Sequence, residues 1–506
     1  MWDAIREQLP VLLVVIPLVA APVTVLLPQG RAPWLWAVLV SWLTFAVSVA
    51  LITQVDAHGT IEYHLGAWPP PIGIEYRIDL ANALVLTLVS GIAAIVFPYA
   101  RASVASEINI ERTPLFYGAL LICLTGLLGV TATADAFNVF VFLEISSLST
   151  YALVAMGADK DRRALTSAFN YLVMGTIGAT FFVIGVGLLY MATGTLNMAD
   201  LHVLIHESGG DRMVRAGFAF IVVGFGLKLA MFPLHLWLPN AYTFAPTAVT
   251  AFLAASSTKV AVYVIIRFLF TVFGVDLEFE RLTLKAIFVP LGVAGMVFAS
   301  LVAIFQADVK RMLAYSSVAQ IGYMLLGIST MGVVGASGAG VAAALLHVFN
   351  HALMKGALFM ALGCVMFRLG STKCEAFAGL GRRMPWTTAA LVVGGLSLIG
   401  VPLTVGFVSK LYLLGAVLQV GWLWAALIIV ASSLLAVVYM GRVLEPALLR
   451  PAPTEGPFSA EIKEAPASML IPLWVLTIAN IVFGVWAVET GGVAERAAMA
   501  LIGGGH

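Results

Sequence analysis

Long apolar runs separated by short polar connections dominate this chain. They lie near 9–27, 34–53, 80–99, 115–133, 137–157, 168–192, 216–238, 247–273, 286–306, 312–331, 336–366, 386–416, 421–444 and 468–488. A helix crosses a bilayer with roughly 20 mostly apolar residues. The pattern therefore predicts an all-α polytopic membrane protein with about 14 transmembrane helices, numbered here as spans 1 to 14. Two runs are interrupted. Span 7 has Pro233 and Pro239 within or at its end, and span 12 has Gly400, Pro402 and Gly406 in its middle. Proline removes a helical hydrogen bond. Irregular backbone at membrane depth survives only where it faces protein or a wet cavity.

Composition agrees. The 506 residues are 61% hydrophobic and 10% charged, with a mean hydropathy of +1.01, where globular domains carry about 25% charged residues. The deficit makes lipid the solvent. The first run is long enough to remain as a span and lacks a clear cleavage site, so no cleavable signal peptide is expected. Connections after odd-numbered runs hold fifteen lysines and arginines, and those after even-numbered runs hold five: Arg77, Arg212, Arg215, Arg281 and Lys285. Basic loops mark the cytoplasmic side. This predicts a multi-pass protein of the inner (cytoplasmic) membrane with both termini on the outer, periplasmic side.

An internal repeat supports the breaks. Ser146–Gly157 reads SSLSTYALVAMG and Ser316–Gly327 reads SSVAQIGYMLLG, in spans 5 and 10. Together with the interruptions of spans 7 and 12, this suggests two five-helix copies, residues 115–273 and 286–444. An odd number of spans per copy makes the copies inverted. Residues 1–114 and 468–488 flank them.

Charges inside the runs carry the chemistry. Four of the nine lysines, Lys228, Lys259, Lys355 and Lys410, lie within predicted spans, and Glu144 is the one acid well inside a span. A charge at the bilayer centre costs on the order of 2.5–3.5 kcal/mol. These residues are too far from the span ends to snorkel. They are read as buried proton sites, the alternative being ion pairs that only lock helices together. His347, His351 and Lys355 recur at i, i+4 and i+8 on one face of span 11. Histidine titrates near neutrality, so this row suits a proton wire better than a metal site, which lacks a carboxylate or cysteine here. His235 follows Lys228 by seven residues, on roughly the same face if Pro233 disturbs the helix little. Arg267 lies near a run's end and is read as structural or lipid-facing. Lys228 sits at a helix break because the break offers water, free backbone groups and a hinge. Burial and a nearby carboxylate pull a lysine's acidity in opposite directions. Movement of Glu144 relative to Lys228 would then switch its proton, with Lys410 the matching switch at the second break.

Other chemistry is missing. Cys123, Cys364 and Cys374 form no C-x-x-C pair, and no iron–sulfur, zinc or disulfide signature is seen. There is no P-loop or dinucleotide fingerprint, and no basic tail for nucleic acid. No cofactor or metal is expected. Whatever energy drives transport comes from elsewhere.

At these residues the chain resembles the antiporter-like subunits shared by respiratory complex I, membrane-bound hydrogenases and Mrp-type multisubunit sodium/proton antiporters. The resemblance covers nearly the whole chain. It rests on the glutamate in FLEISSLSTYAL, the lysines in GLKLAMFPLHLWLPNAY and SSTKVAVY, the stretch ADVKRMLAYSSVAQIGYM, the row HVFNHALMKGALF, and VGFVSKLYLLGA. Within that superfamily it looks most like the Mrp D subunit. It lacks the long lateral helix of some complex I subunits and the extra domain of Mrp A, and span 12 carries lysine where one complex I paralogue has glutamate. Two positions depart from the pattern. Asn170–Tyr171 stands where many relatives have lysine–tyrosine, and Ala314 is the repeat counterpart of Glu144. The resemblance implies 14 helices with two inverted five-helix repeats, related membrane subunits as partners, and proton transfer along a central polar axis. In Mrp systems it implies exchange with sodium. A proton-pumping subunit of a complex I-type NADH dehydrogenase or hydrogenase is the alternative, and a non-transporting scaffold a third. In each the chain is a transporter or translocase subunit with no catalytic site of its own.

Overall fold

The computed structural model describes residues 6–274, 277–455, 458 and 462–503. The termini themselves, on which the predicted sidedness was placed, lie outside the described residues. The protein is a mostly helical, multi-pass membrane protein. Twelve helices among the described residues are long and apolar enough to cross a bilayer: Leu9–Leu26, Arg31–His58, Leu80–Glu107, Ile110–Ala132, Ala136–Asp159, Arg163–Thr193, Thr247–Phe273, Glu278–Ile304, Val309–Gly332, Ala339–Leu369, Leu423–Leu449 and Ala467–Val485. These are spans 1–6, 8–11, 13 and 14. The other two runs are the interrupted ones. Span 7 is a helix over Arg212–Lys228, a non-helical stretch, and a short helix over Trp237–Phe244. Span 12 is Pro385–Ile399 followed by Val405–Gln419.

Contacts between connections sort into two faces. On one, strands β1 (Ile61–His64) and β2 (Glu75–Ile78) form an antiparallel hairpin after span 2. Tyr76 bridges to Thr133 after span 4, and Asp135 bridges to Asn197 after span 6. On the other, Arg112 pairs with Asp159 at 2.7 Å, Asp308 bridges to Lys373, and Arg368 donates to the Glu464 carbonyl at 3.0 Å. These join connections after spans 3 and 5, 9 and 11, and 11 and 13. Every such contact keeps odd with odd and even with even, as alternate crossings require. The faces are called here the hairpin face and the arginine-rich face.

Polar caps start several spans. Asp79 accepts from Ala81 N and Asn82 N in a capping box, Asp211 accepts from Val214 N, and Asp308 accepts from Arg311 N. Such carboxylates satisfy otherwise orphaned N–H groups and complement the helix dipole. Small residues then let spans approach. A methyl group at Gly224 would meet the Gly178 carbonyl at 2.7 Å, and one at Gly178 would meet the Gly224 carbonyl at 3.0 Å. This glycine crossing of spans 6 and 7, of the kind membrane helices use, lies one turn before Lys228.

Two features differ from the sequence reading. Span 8 is not continuous: it stops at Ala255 and restarts at Ser257, with Ser256 at φ −126°, ψ −60°. No proline or glycine announces that break. A further helix, Ala487–Gly503, follows span 14. Its alanine- and glycine-rich sequence is too polar to register as an apolar run.

Candidate functional site

Lys228 is the last residue of its helix. The helix closes with two hydrogen bonds, Ala230 N to Leu227 O at 3.2 Å and Met231 N to Gly226 O at 2.9 Å. Ala230 takes the left-handed conformation, φ 59°, which this type of cap demands and glycine usually supplies. Trp237 Nε1 donates to the Leu227 carbonyl at 2.9 Å. The lysine thus sits at the negative end of a helix dipole. Its ammonium donates to Ser147 Oγ on span 5 and lies 6.0 Å from the Tyr151 ring centroid. Glu144 is one turn from Ser147 on the same helix, and its Oε1 has no hydrogen-bond partner among the described residues. The serine, not the glutamate, is the direct partner of Lys228.

Span 12 repeats the arrangement with the lysine supplied from across the break. Gly400, at φ 94°, donates to Ser397 O at 3.1 Å, and Val401 N donates to Leu396 O at 3.0 Å. Lys410, from the second half-helix, donates to the freed carbonyls of Leu398 and Ile399 at 3.1 and 2.8 Å and to Ser433 Oγ at 3.0 Å. It stands 5.2 Å from the Tyr323 ring centroid. Lys259 follows the same rule at the break in span 8. It donates to the Ala254 carbonyl, in the last turn before the break, and to Thr258 Oγ1 at 3.3 Å.

Between these breaks runs span 11. Lys355 is fully buried and donates to Leu313 O at 2.7 Å and Ser316 Oγ at 2.8 Å on span 10. The Tyr439 hydroxyl donates to the same Ser316 at 3.2 Å. His347 and His351 stack with centroids 5.9 Å apart and planes within 3°. His347 Nε2 lies 2.9 Å from the Gln320 amide oxygen and Nδ1 lies 2.8 Å from Ser409 Oγ. Both ring nitrogens of His347 are thus engaged. Ser409 adjoins Lys410 in sequence. The His347 ring is thereby tied to the second break. His351 is also fully buried, and neither of its nitrogens has a partner among the described residues. Spans 8 and 11 meet at this level, where a methyl group at Gly356 would stand 3.6 Å from Ala255 Cβ.

One rule covers the four lysines. Among the described residues none has a carboxylate within 4.0 Å. Each is held by serine or threonine hydroxyls, backbone carbonyls, or both. A full ion pair would fix the charge. Hydroxyls and helix-end carbonyls stabilise an ammonium only partly, and a hydroxyl can turn to donate to a neutral amine.

A match to a described family covers more than half the chain. Residues 133–436 fit the family described as NADH:quinone oxidoreductase/Mrp antiporter, transmembrane. The chain belongs to this family. Among its relatives, this antiporter-like protein is 42% identical over 500 residues to the N subunit of the NADH-quinone oxidoreductase of Desulforudis audaxviator, covering 95% of this chain and 96% of that one. It is 32% identical over 389 residues to the D subunit of the Na(+)/H(+) antiporter of Alkalihalophilus pseudofirmus, covering 77% and 76%. A chain of the Mrp complex from Dietzia sp. DQ12-45-1b superposes with a TM-score of 0.88 at 26% identity, covering 98% of both chains. Relatives of both kinds match this antiporter-like protein, so the comparisons do not favour the Mrp type over the quinone-oxidoreductase type.

Two assignments change with the structure in hand, those of His235 and Lys310, and that of Arg267 is decided. His235 does not share a helical face with Lys228, because the helix ends at Lys228. It lies in the non-helical stretch, its ring stacked on Phe232 with centroids 5.3 Å apart and 6.0 Å from that of Tyr315. Of the two readings of Arg267, structural and lipid-facing, the structure supports the structural one. The residue is 8% exposed, pairs with Asp79 at 2.7 Å, and donates to the Tyr263 hydroxyl at 3.0 Å. Burial pushes the Asp79 carboxyl up, but Arg267 and the cap N–H groups outweigh it and hold it below the usual carboxylate range. Lys310, counted as a loop charge, is buried in the first turn of span 10 and donates to the Ala245 carbonyl at 2.8 Å. Nearby, Glu107 accepts from Thr247 N and Oγ1 at the start of span 8. Both line a cavity of about 160 Å³ on the arginine-rich face.

Sequence reading also missed the hydroxyl partners. The Ser-Ser pairs of spans 5 and 10 mark the repeat in the sequence, and within them Ser147 and Ser316 are the residues that hold Lys228 and Lys355.

Proposed function

We propose that this chain is the proton-translocating subunit of a multisubunit Na+/H+ antiporter, moving protons through Glu144, Lys228, His235, Lys259, His347, His351, Lys355 and Lys410 along the membrane's central plane. The observation that carries the reading is the holding of four in-span lysines, three of them buried and Lys228 half-buried, by hydroxyls and backbone carbonyls without a carboxylate partner. Such a site can exist protonated or neutral, as a relay needs. Residues 115–273 and 286–444 act as two inverted units, each with a broken span whose lysine faces a tyrosine of span 5 or 10. Span 11 links them. Glu144 biases Lys228 through space rather than by contact, and Ala314 leaves the second unit without that bias. Related membrane subunits are the partners, and protons and sodium the ions. The protein sits in the cytoplasmic membrane with the arginine-rich face inward.

A second reading is favoured by the 42% identity to a quinone oxidoreductase relative. There the same path is driven by a partner's electron transfer. Everted vesicles from antiporter-deficient cells carrying the full complex separate the two. Sodium-dependent collapse of an imposed pH gradient is expected for the antiporter. Proton uptake that needs an electron donor and ignores sodium would replace it with the redox-driven pump. Proton movement under neither condition would overturn translocation itself.

A further inference from the structure

Spans 2, 3 and 4 contribute nothing to the lysine path, yet they enclose a cavity of about 300 Å³ on the arginine-rich face. It is built from the start of span 2, the end of span 3 and the start of span 4. Arg31 and Arg101 both line it, with Trp34, Tyr117, Val104 and Ile108. No carboxylate is among the lining residues. Neither arginine has an ion pair among the described residues. Arg101 instead stacks on Trp34, 5.1 Å from the ring centroid, and the indole is fixed by its own bond to the Phe97 carbonyl at 3.0 Å.

We propose that this cavity binds the phosphate headgroup of an anionic phospholipid. Two uncompensated guanidiniums converge there, and guanidinium forks match phosphate oxygens. Tryptophan and tyrosine mark the level of the headgroups at a membrane interface. Val104 and Ile108 continue the wall with an apolar surface suited to an acyl chain. A free phosphate would use the arginines but gain nothing from that wall. Basic pockets between spans on the positively charged face take anionic headgroups in this way.

The test is titration of the delipidated, full-length protein in its complex with phosphatidylglycerol, followed by thermal unfolding. Phosphatidylcholine of the same chains and inorganic phosphate are the comparisons. Phosphatidylglycerol should protect best. Its apparent affinity should fall roughly fivefold in Arg31→Gln and about twenty- to thirtyfold in the double variant with Arg101→Gln. Phosphatidylcholine should respond equally in all forms. Arg31 is exposed, so its single variant decides the matter if the double variant does not fold. Unchanged phosphatidylglycerol affinity in Arg31→Gln would overturn the proposal. Equal protection by inorganic phosphate would make the cavity a free-anion site and overturn the lipid assignment.

Discussion

In the Lys410→Met variant, proton flux in vesicles should fall to the level of membranes lacking the complex, while the protein still assembles. Methionine keeps the volume of the stem and removes the only group of this side chain that can carry a proton. Three partners lose their donor: the carbonyls of Leu398 and Ile399 and the hydroxyl of Ser433. A buried acceptor left unpaired costs about 1–3 kcal/mol, so a modest drop in thermal stability should accompany the loss. The glycine-capped end of the first half-helix does not depend on the lysine and should keep the break intact. Quantitative blotting of the assembled complex beside the flux assay checks both parts. Wild-type flux with normal assembly would remove Lys410 from the path.

Arg267→Met should act in the opposite way, on stability first. It leaves Asp79 buried with its cap hydrogen bonds but without its counter-charge. Breaking a buried pair by removing one partner costs about 3–5 kcal/mol. The protein should unfold at a clearly lower temperature and accumulate poorly. The double variant Arg267→Met with Asp79→Asn should recover much of the loss, because the amide oxygen can still accept from Ala81 N and Asn82 N. Thermal unfolding of the two purified variants measures this. Equal losses in the single and double variants would show that the pair itself is not what holds span 8 to the start of span 3. The stability owed to Asp79 should be present above the usual carboxylate range and fade as pH falls through its lowered value.

Much of this architecture is legible in the order of residues because lipid imposes a simple rule. Run length gives the spans, and the breaks of spans 7 and 12 are announced by proline and glycine. The break of span 8 is not, since Ser256 carries no local signal and its conformation is set by packing. The lysines stand out because an in-span charge is costly wherever it falls. Their partners do not stand out. Ser147 stands out only as part of the repeat and Ser433 not at all, and only the fold brings them to Lys228 and Lys410. The same holds for Arg267, whose counter-charge sits at the start of a span far away in sequence. His235 escapes helical periodicity because the helix ends at Lys228, before the histidine is reached.

The central claim is that lysines within the spans alternate between protonated and neutral forms. The most direct test is proton flux through the complex carrying Lys228→Arg, compared with wild type in the same vesicles. Arginine keeps the positive charge and can still donate to Ser147. Its guanidinium, however, gives up a proton roughly a hundredfold or more less readily by ordinary acidities. Flux should therefore collapse with assembly intact. Flux close to wild type would mean that a permanent charge suffices at this position, and that Lys228 does not carry the proton.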